Sequence, residues 1–297
     1  MDKEVIEAYK KAGRIAQEAL QHGKKLIKVG EKLVNVCDSV EEFILSKGCG
    51  IAFPTQISLN TIAAHYCPDF EDSTIFQEGD LAKIDVGVHV DGYVGDNALT
   101  VDLGDHKDLV KTSIDALKAA LAIVKPGTRL GEIGAAIHEA MKKYELSPIK
   151  NLSGHGLGQF QIHTKPSIPN FDTGDFTELE EGTAIAIEPF ATNGAGAIYE
   201  SSNATIFSKI NQKPVRSPFA REILRHIEQY QGLPFAKRWL VKKFGPGKTA
   251  FGLKELIKLD ILKEHPPLPE KGKGLVSQAE HTILVLDKPI ITTKIDE

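Results

Sequence analysis

The chain has 297 residues, 41% of them hydrophobic and 26% charged, with 26 glycines, 15 prolines and three cysteines. This ordinary globular composition excludes collagen-like, disordered and disulfide-stapled classes, and a chain of this length buries enough surface to need no staples. The net charge of −4 conceals an asymmetry: residues 209–273 carry 15 Lys and Arg against 6 Asp and Glu, a balance of +9, and the remainder carries −13. Cys37, Cys49 and Cys67 are odd in number and lack metal-ligand spacing, which points to a reducing compartment. Charges stand at the N-terminus where a signal peptide has its apolar region, and no stretch approaches the ~18 apolar residues of a membrane span. A soluble, cytoplasmic protein without membrane contact is expected.

In chain order, residues 6–27 and 33–45 read as two helices separated by Gly30. Residues 81–89 and 93–101 read as strands, and the Asp91-Gly92 turn between them signals a hairpin that places Asp85 and Asp96 on adjacent antiparallel strands. Leu109, Val110, Ile114, Leu117, Leu121 and Val124 share one face of a helix that Pro126-Gly127 terminates, and Ile133, Ile137, Met141 and Tyr144 repeat the pattern. Strands follow at 183–187, 197–207 and 277–286. Between the last two, residues 223–227, 235–241 and 253–262 read as three short helices. This basic stretch has the character of an insertion whose strand-like flanks pair with one another.

The chain also matches itself. Glu78-Gly79-Asp80-Leu81-Ala82-Lys83-Ile84-Asp85 aligns with Glu181-Gly182-Thr183-Ala184-Ile185-Ala186-Ile187-Glu188, 103 residues later. Ile27-Lys28-Val29-Gly30-Glu31-Lys32-Leu33 aligns with Val124-Lys125-Pro126-Gly127-Thr128-Arg129-Leu130, 97 residues later. The common order implies two duplicated halves.

Four constellations carry chemistry. Asp85 and Asp96 face each other across the predicted hairpin, and two carboxylates held among apolar strand residues require a cation, a shared proton or solvent. Ser153-Gly154-His155-Gly156-Leu157-Gly158 surrounds one imidazole with glycines, which let the backbone approach closely. Neither a phosphate-loop Gly-Lys-Ser/Thr nor a dinucleotide-binding glycine pattern follows it. Glu188 ends one apolar strand and Glu280 opens another, although glutamate in such a setting is uncommon without a partner. Four carboxylates and one imidazole suffice for two divalent ions with bridging carboxylates.

On Ile84-Asp85-Val86-Gly87, Asp96, Gly154-His155-Gly156-Leu157-Gly158, Ile187-Glu188-Pro189-Phe190 and Glu280, the chain resembles the methionine aminopeptidases of the pita-bread fold. His65, in Ser58-Leu59-Asn60-Thr61-Ile62-Ala63-Ala64-His65, and His163 match that family's substrate-contacting histidines. The resemblance spans the chain. The basic helical insertion is similar to that of type II enzymes, and the lack of a charged N-terminal extension resembles the compact archaeal form.

The resemblance implies an α+β pita-bread fold, with residues 1–208 and 274–297 forming the catalytic domain and 209–273 an inserted basic helical subdomain. It implies Asp85, Asp96, His155, Glu188 and Glu280 as ligands of two divalent ions (Co, Mn, Fe(II) or Zn), with Asp96 and Glu280 bridging. A metal-activated hydroxide would attack the first peptide bond. His65 and His163 would position the substrate and stabilise developing charge, and Glu188 would move protons as well as ligate. Phe53, Ile162 and Phe190 are the expected walls of a pocket for the initiator methionine, with a small second residue beyond it. The expected partners are nascent polypeptide N-termini, together with ribosomal RNA contacted by a basic face of Lys237, Arg238, Lys242 and Lys243. A monomer is expected. Prolidases and X-prolyl aminopeptidases resemble the same site but usually place a domain before it, and only 84 residues precede Asp85. A nonenzymatic relative would not be expected to retain all five ligand types.

Overall fold

A computed structural model describes residues 1–294. Its first half runs α1 (Lys3–Leu26), α2 (Leu33–Ser46), β1 (Gly50–Leu59), β2 (Leu81–Val90) and β3 (Tyr93–Asp102). Apolar residues recur along α1 at helical spacing, and Ala12, Ile15, Ala16, Ala19 and Leu20 are buried. The helix lies close against the sheet because Gly95 of β3 faces Gly13 of α1: a Cβ on Gly95 would strike the α1 backbone. The β2–β3 turn is the expected two-residue hairpin, with positive φ at both Asp91 (51°) and Gly92 (87°).

The second half repeats this plan with α3 (Lys107–Leu121), α4 (Leu130–Lys142), β4 (Ser153–Gly158), β5 (Gln161–Pro169) and β6 (Thr183–Ile187). After β6 come β7 (Phe190–Thr192), β8 (Ile206–Lys209), α5 (Pro218–Ile227), α6 (Lys237–Phe244), α7 (Pro246–Lys258) and β9 (Leu262–His265). The chain closes with β10 (Val276–Gln278), β11 (His281–Val285) and β12 (Ile290–Ile291). The first sheet has the order β1-β2-β3, and the second β12-β11-β6-β4-β5. The triplets β1-β2-β3 and β4-β6-β11 therefore correspond.

The duplication read from sequence extends to single hydrogen bonds. Lys32 bridges Ile75, and Arg129 bridges Glu178. The Leu33 amide donates to the Thr74 carbonyl at 3.1 Å and the Leu130 amide to the Thr177 carbonyl at 2.9 Å; Gly30 and Gly127 likewise donate to Phe76 and Leu179. In each case the donors are 97 residues apart and the acceptors 103, the two offsets of the sequence repeat.

Three expected elements differ. The strand expected over 197–207 is confined to Ile206–Lys209, and before it only Ile198 makes an isolated bridge, to Glu270. The last strand is broken at Ala279-Glu280, where the chain turns away from β7, the partner of β10, to pair β11 with β6. The third insertion helix stops at Lys258: Asp260 adopts a left-handed φ of 56°, and Leu262 already belongs to β9. The expected pairing of the flanking strands, 197–207 with 277–286, is corrected too: β8 is antiparallel to β9, which lies inside the insertion, while β10 and β11 pair with β7 and β6. The insertion helices pack around Phe207, Ala220, Ile223, Leu240, Leu253 and Leu256, a cluster distinct from those beneath the two sheets.

The basic face expected at Lys237, Arg238, Lys242 and Lys243 is corrected by the structure. Arg238 has no exposed surface; it pairs with Glu41 and with Asp38 at 3.2 Å, both on α2, and donates to the Cys67 sulfur at 2.6 Å. Trp239 Nε1 donates to the same Glu41 carboxylate at 2.8 Å. Lys237 pairs with Asp69 at 2.6 Å and Lys242 with Asp38 at 2.5 Å. Three of these four cations therefore tie the insertion to the body. Burial raises the pKa of Glu41, and the Arg238 guanidinium opposes that rise. Removing one member of a buried pair strands the other charge, so Arg238→Met is expected to lower unfolding free energy by about 3–5 kcal/mol in a denaturant titration.

Candidate metal and peptide site

Two strand registers and one seam assemble the site. On β2 and β3, Asp85 lies opposite Ala98 and Asp96 opposite Gly87, so the two aspartates are diagonal neighbours on one face. Glu188 directly follows β6, and Glu280 occupies the break between β10 and β11. Backbone and hydroxyl contacts then lock the halves together. The Thr282 hydroxyl accepts from the Asp96 amide and donates to the Asp96 carbonyl, both at 2.8 Å. The Thr100 hydroxyl accepts from the Gln278 amide at 2.8 Å and donates to the Gln278 carbonyl at 2.7 Å. The Glu280 amide donates to the Ala98 carbonyl at 3.0 Å.

His155 sits on β4 opposite Ala186 of β6. Its flanking glycines are required by strand crowding: a Cβ on Gly154 would strike the Ala186 carbonyl, and one on Gly156 the Lys165 carbonyl. His155 Nδ1 lies 3.2 Å from the Gly156 carbonyl, an acceptor that places the ring proton on Nδ1 and leaves the Nε2 lone pair free. Nε2 points to Glu188 Oε1 at 3.5 Å and to Asp96 Oδ2 at 3.8 Å. Burial pushes the His155 pKa down to about 3, so these are contacts of a neutral imidazole, not ion pairs.

The carboxyl groups show the complementary effect. Burial pushes Asp85 up to about 7 and, with the neighbouring carboxylates adding to it, holds Asp96, Glu188 and Glu280 well above the usual range. Asp85 Oδ1 and Glu280 Oε2 are buried without a hydrogen-bond partner. Ligand atoms of Asp96, His155 and Glu280 lie within 4.8 Å of one another. Unpartnered oxygens, crowded carboxylates and one neutral nitrogen are a donor set that fits divalent cations.

All ten residues expected at the site line one cavity of about 220 Å3: Phe53, His65, Asp85, Asp96, His155, Ile162, His163, Glu188, Phe190 and Glu280. The His163 ring packs edge-on to His155 with centroids 4.4 Å apart. His65 has a left-handed φ of 64°, and its amide donates to Gln56 Oε1 at 2.9 Å. Burial drives the His65 pKa down to about 3 and also lowers that of His163. Sequence reasoning missed Gln278, whose Nε2 donates to Glu188 Oε2 at 3.4 Å, although it stands two residues before Glu280. It also missed Ile206, Pro234 and His265, which reach the cavity from the insertion and its flank and carry no local motif.

The model of metallopeptidase family M24 matches residues 7–218. The methionine aminopeptidase of Archaeoglobus fulgidus is 45% identical over 99% of this chain and 100% of its own, and that of Methanocaldococcus jannaschii 41% over 97% and 99%. Among solved structures, the methionine aminopeptidase of Thermotoga maritima shares the fold with a TM-score of 0.74 at 24% identity, covering 99% of this chain and 98% of that one. A thermophilic Arx1 shares it with a TM-score of 0.87 at 18% identity, covering 100% and 92%. A prolidase from Pyrococcus furiosus shares it at 0.64 and 21%, covering 100% of this chain but 65% of that one.

A carboxyl pKa raised in the folded state means that the metal-free fold keeps protons the unfolded chain has lost. For Asp85 that window runs from its ordinary 3.8 to about 7, and its contribution to metal-free stability falls as pH rises through it. A divalent ion requires the deprotonated form. Adding Mn2+ to metal-stripped protein is therefore expected to raise Tm strongly at about pH 7.5 and little at about pH 5. Equal increments in a thermal-shift assay would remove these carboxylates from metal binding.

Proposed function

The chain belongs to metallopeptidase family M24, and on that premise we propose that it is a methionine aminopeptidase of the type II, archaeal-like form. It removes the initiator methionine from nascent proteins and peptides whose second residue is small. The observation that carries this reading is the convergence of five ligand-type side chains, two histidines and an apolar wall on one cavity. Full-length relatives at 35–45% identity support it.

Asp85, Asp96, His155, Glu188 and Glu280 would hold two divalent ions. One imidazole among four carboxylates suits Co, Mn, Fe(II) or Zn. When bound, the ions acidify water and polarise the scissile carbonyl. The chain's own groups do the rest. Burial keeps His65 and His163 neutral, so each imidazole can present an N–H to the oxygen on which negative charge develops. Glu188, oriented through Oε2 by Gln278, holds the proton taken from water and passes it to the leaving amine. Phe53, Ile162 and Phe190 enclose the methionine thioether, which packs well against aromatic edges.

Residues 1–208 and 274–297 form the catalytic domain, and 209–273 an inserted subdomain with its own apolar cluster. No helix among the described residues is long and apolar enough to cross a membrane, in keeping with a cytoplasmic enzyme acting on nascent chains. With Arg238, Lys237 and Lys242 engaged internally, contact with ribosomal RNA falls to the exposed Arg216, Arg221, Arg225, Lys254 and Lys258.

Metal-loaded protein is expected to release methionine from Met-Ala-Ser but not leucine from Leu-Ala-Ser or the first residue of X-Pro peptides; equal rates on the first two would sink the pocket assignment. His163→Ala should lose on the order of 100-fold in kcat with its metal content intact. Glu280→Ala should fail to retain two ions by metal analysis.

A further inference from the structure

Beyond the inner cavity, the insertion and its flank supply an outer wall. Strands β8 and β9 are antiparallel, with Ile206 opposite His265 and Ser208 opposite Lys263. Directly opposed residues share a face, and every second residue along a strand returns to it. Ile206, Ser208, Lys263 and His265 therefore stand on one face, and Ile206 and His265 line the cavity. The Ser208 hydroxyl lies 2.8 Å from His265 Nε2 and fixes the inner end. Lys263 continues the same surface outward.

Lys263 is exposed and forms no ion pair among the described residues, whereas Lys209, Lys213, Lys237, Lys242 and Lys248 of the insertion each pair with a carboxylate. Its charge reaches the site: after burial, Lys263 is the next cause lowering the pKa of both His163 and His265. Lys263 stands two positions before His265 on the strand, a rise of about 7 Å, the span of about two residues of an extended peptide. A peptide whose first side chain filled the cavity would run past this wall if it left on the side of Ile206 and His265.

We propose that Lys263 is a specificity-determining residue for the part of the substrate beyond the cleaved bond, pairing with an Asp or Glu side chain at the third or fourth position of the peptide. The inference rests on the methionine aminopeptidase reading, and the two fail separately. The probes are amidated tetrapeptides, so that a side chain is the only carboxylate: Met-Ala-Ser-Ser, Met-Ala-Asp-Ser, Met-Ala-Ser-Asp and Met-Ala-Lys-Ser.

For the metal-loaded wild type, KM is expected to be roughly two- to fivefold lower for at least one Asp peptide than for Met-Ala-Ser-Ser, with kcat unchanged. About 0.5 M NaCl should erase the difference. Lys263→Met should equalise the peptides, and Lys263→Glu should favour Met-Ala-Lys-Ser, each read as the ratio of KM values between peptides within one variant, so that any common change in kcat cancels. An acidic preference retained in Lys263→Met, or none in the wild type while Met-Ala-Ser-Ser is cleaved, overturns the inference. Failure of the wild type to cleave Met-Ala-Ser-Ser overturns the parent reading and this one with it.

Discussion

Four carboxyl groups and one neutral imidazole line a single cavity that, among the described residues, no Lys or Arg lines, and most of the architecture answers that concentration of like charge. The nearest buried ammonium on the same strand, Lys83, is occupied elsewhere: its Nζ donates to the Asn60 carbonyl at 3.1 Å and the Leu81 carbonyl at 3.4 Å. Carboxylates pressed together in a low dielectric push one another toward protonation, as the raised pKa values record. What holds the strands in place against that repulsion is the seam of Thr100, Thr282 and Ala98, where hydroxyls and amides of one half satisfy backbone groups beside the ligands of the other. These bonds are buried and neutral, so they stay intact while the site changes charge.

The duplicated halves explain why the donors come in pairs. Each half contributes one carboxylate on or directly after its central strand, Asp85 or Glu188, and one from the adjacent strand segment, Asp96 or Glu280. In the first half an Asp-Gly hairpin joins the two strands and the carboxylates lie 11 residues apart. In the second half the corresponding connection has absorbed β7 to β10, and the carboxylates lie 92 residues apart. Chemistry built on symmetric scaffolding thus acquires an asymmetric rim. The insertion contributes Pro234 and His265, and Ile206 flanks it, all on one side of the cavity.

That rim is useful only if the insertion is fixed relative to the body. Arg238 supplies the fixation through two carboxylates of α2 and the Cys67 sulfur, and it stands four residues after Pro234 on the same stretch of chain. A buried guanidinium with a planar fork suits such a junction because its several donors set orientation as well as distance. The local excess of positive charge in residues 209–273 is therefore partly structural: it answers the acidic surface of the body, carried here by Asp38, Glu41 and Asp69.

Much of this was legible in the sequence because the signals are local. Helical periodicity set α1 to α4, Asp91-Gly92 set the hairpin, the repeated acidic-Gly turns disclosed the duplication, and glycines around His155 marked a close backbone approach. All ten expected site residues line one cavity; the ligands and histidines were named through the family resemblance that short motifs carry, whereas Phe53 stood in no motif. Other features depend on distant partners that no window of sequence contains. Whether Arg238 faces solvent or Glu41 was decided by a contact across 197 residues, so a basic surface inferred from Lys237-Arg238 became a buried anchor. The split of the last strand at Glu280 arose because β10 pairs with β7 and β11 with β6. His265 entered the cavity through its pairing opposite Ile206, a register that exists only once β8 and β9 have met. Local propensity determined the elements and the ligand types; non-local pairing determined which charges are neutralised inside and which remain free at the mouth.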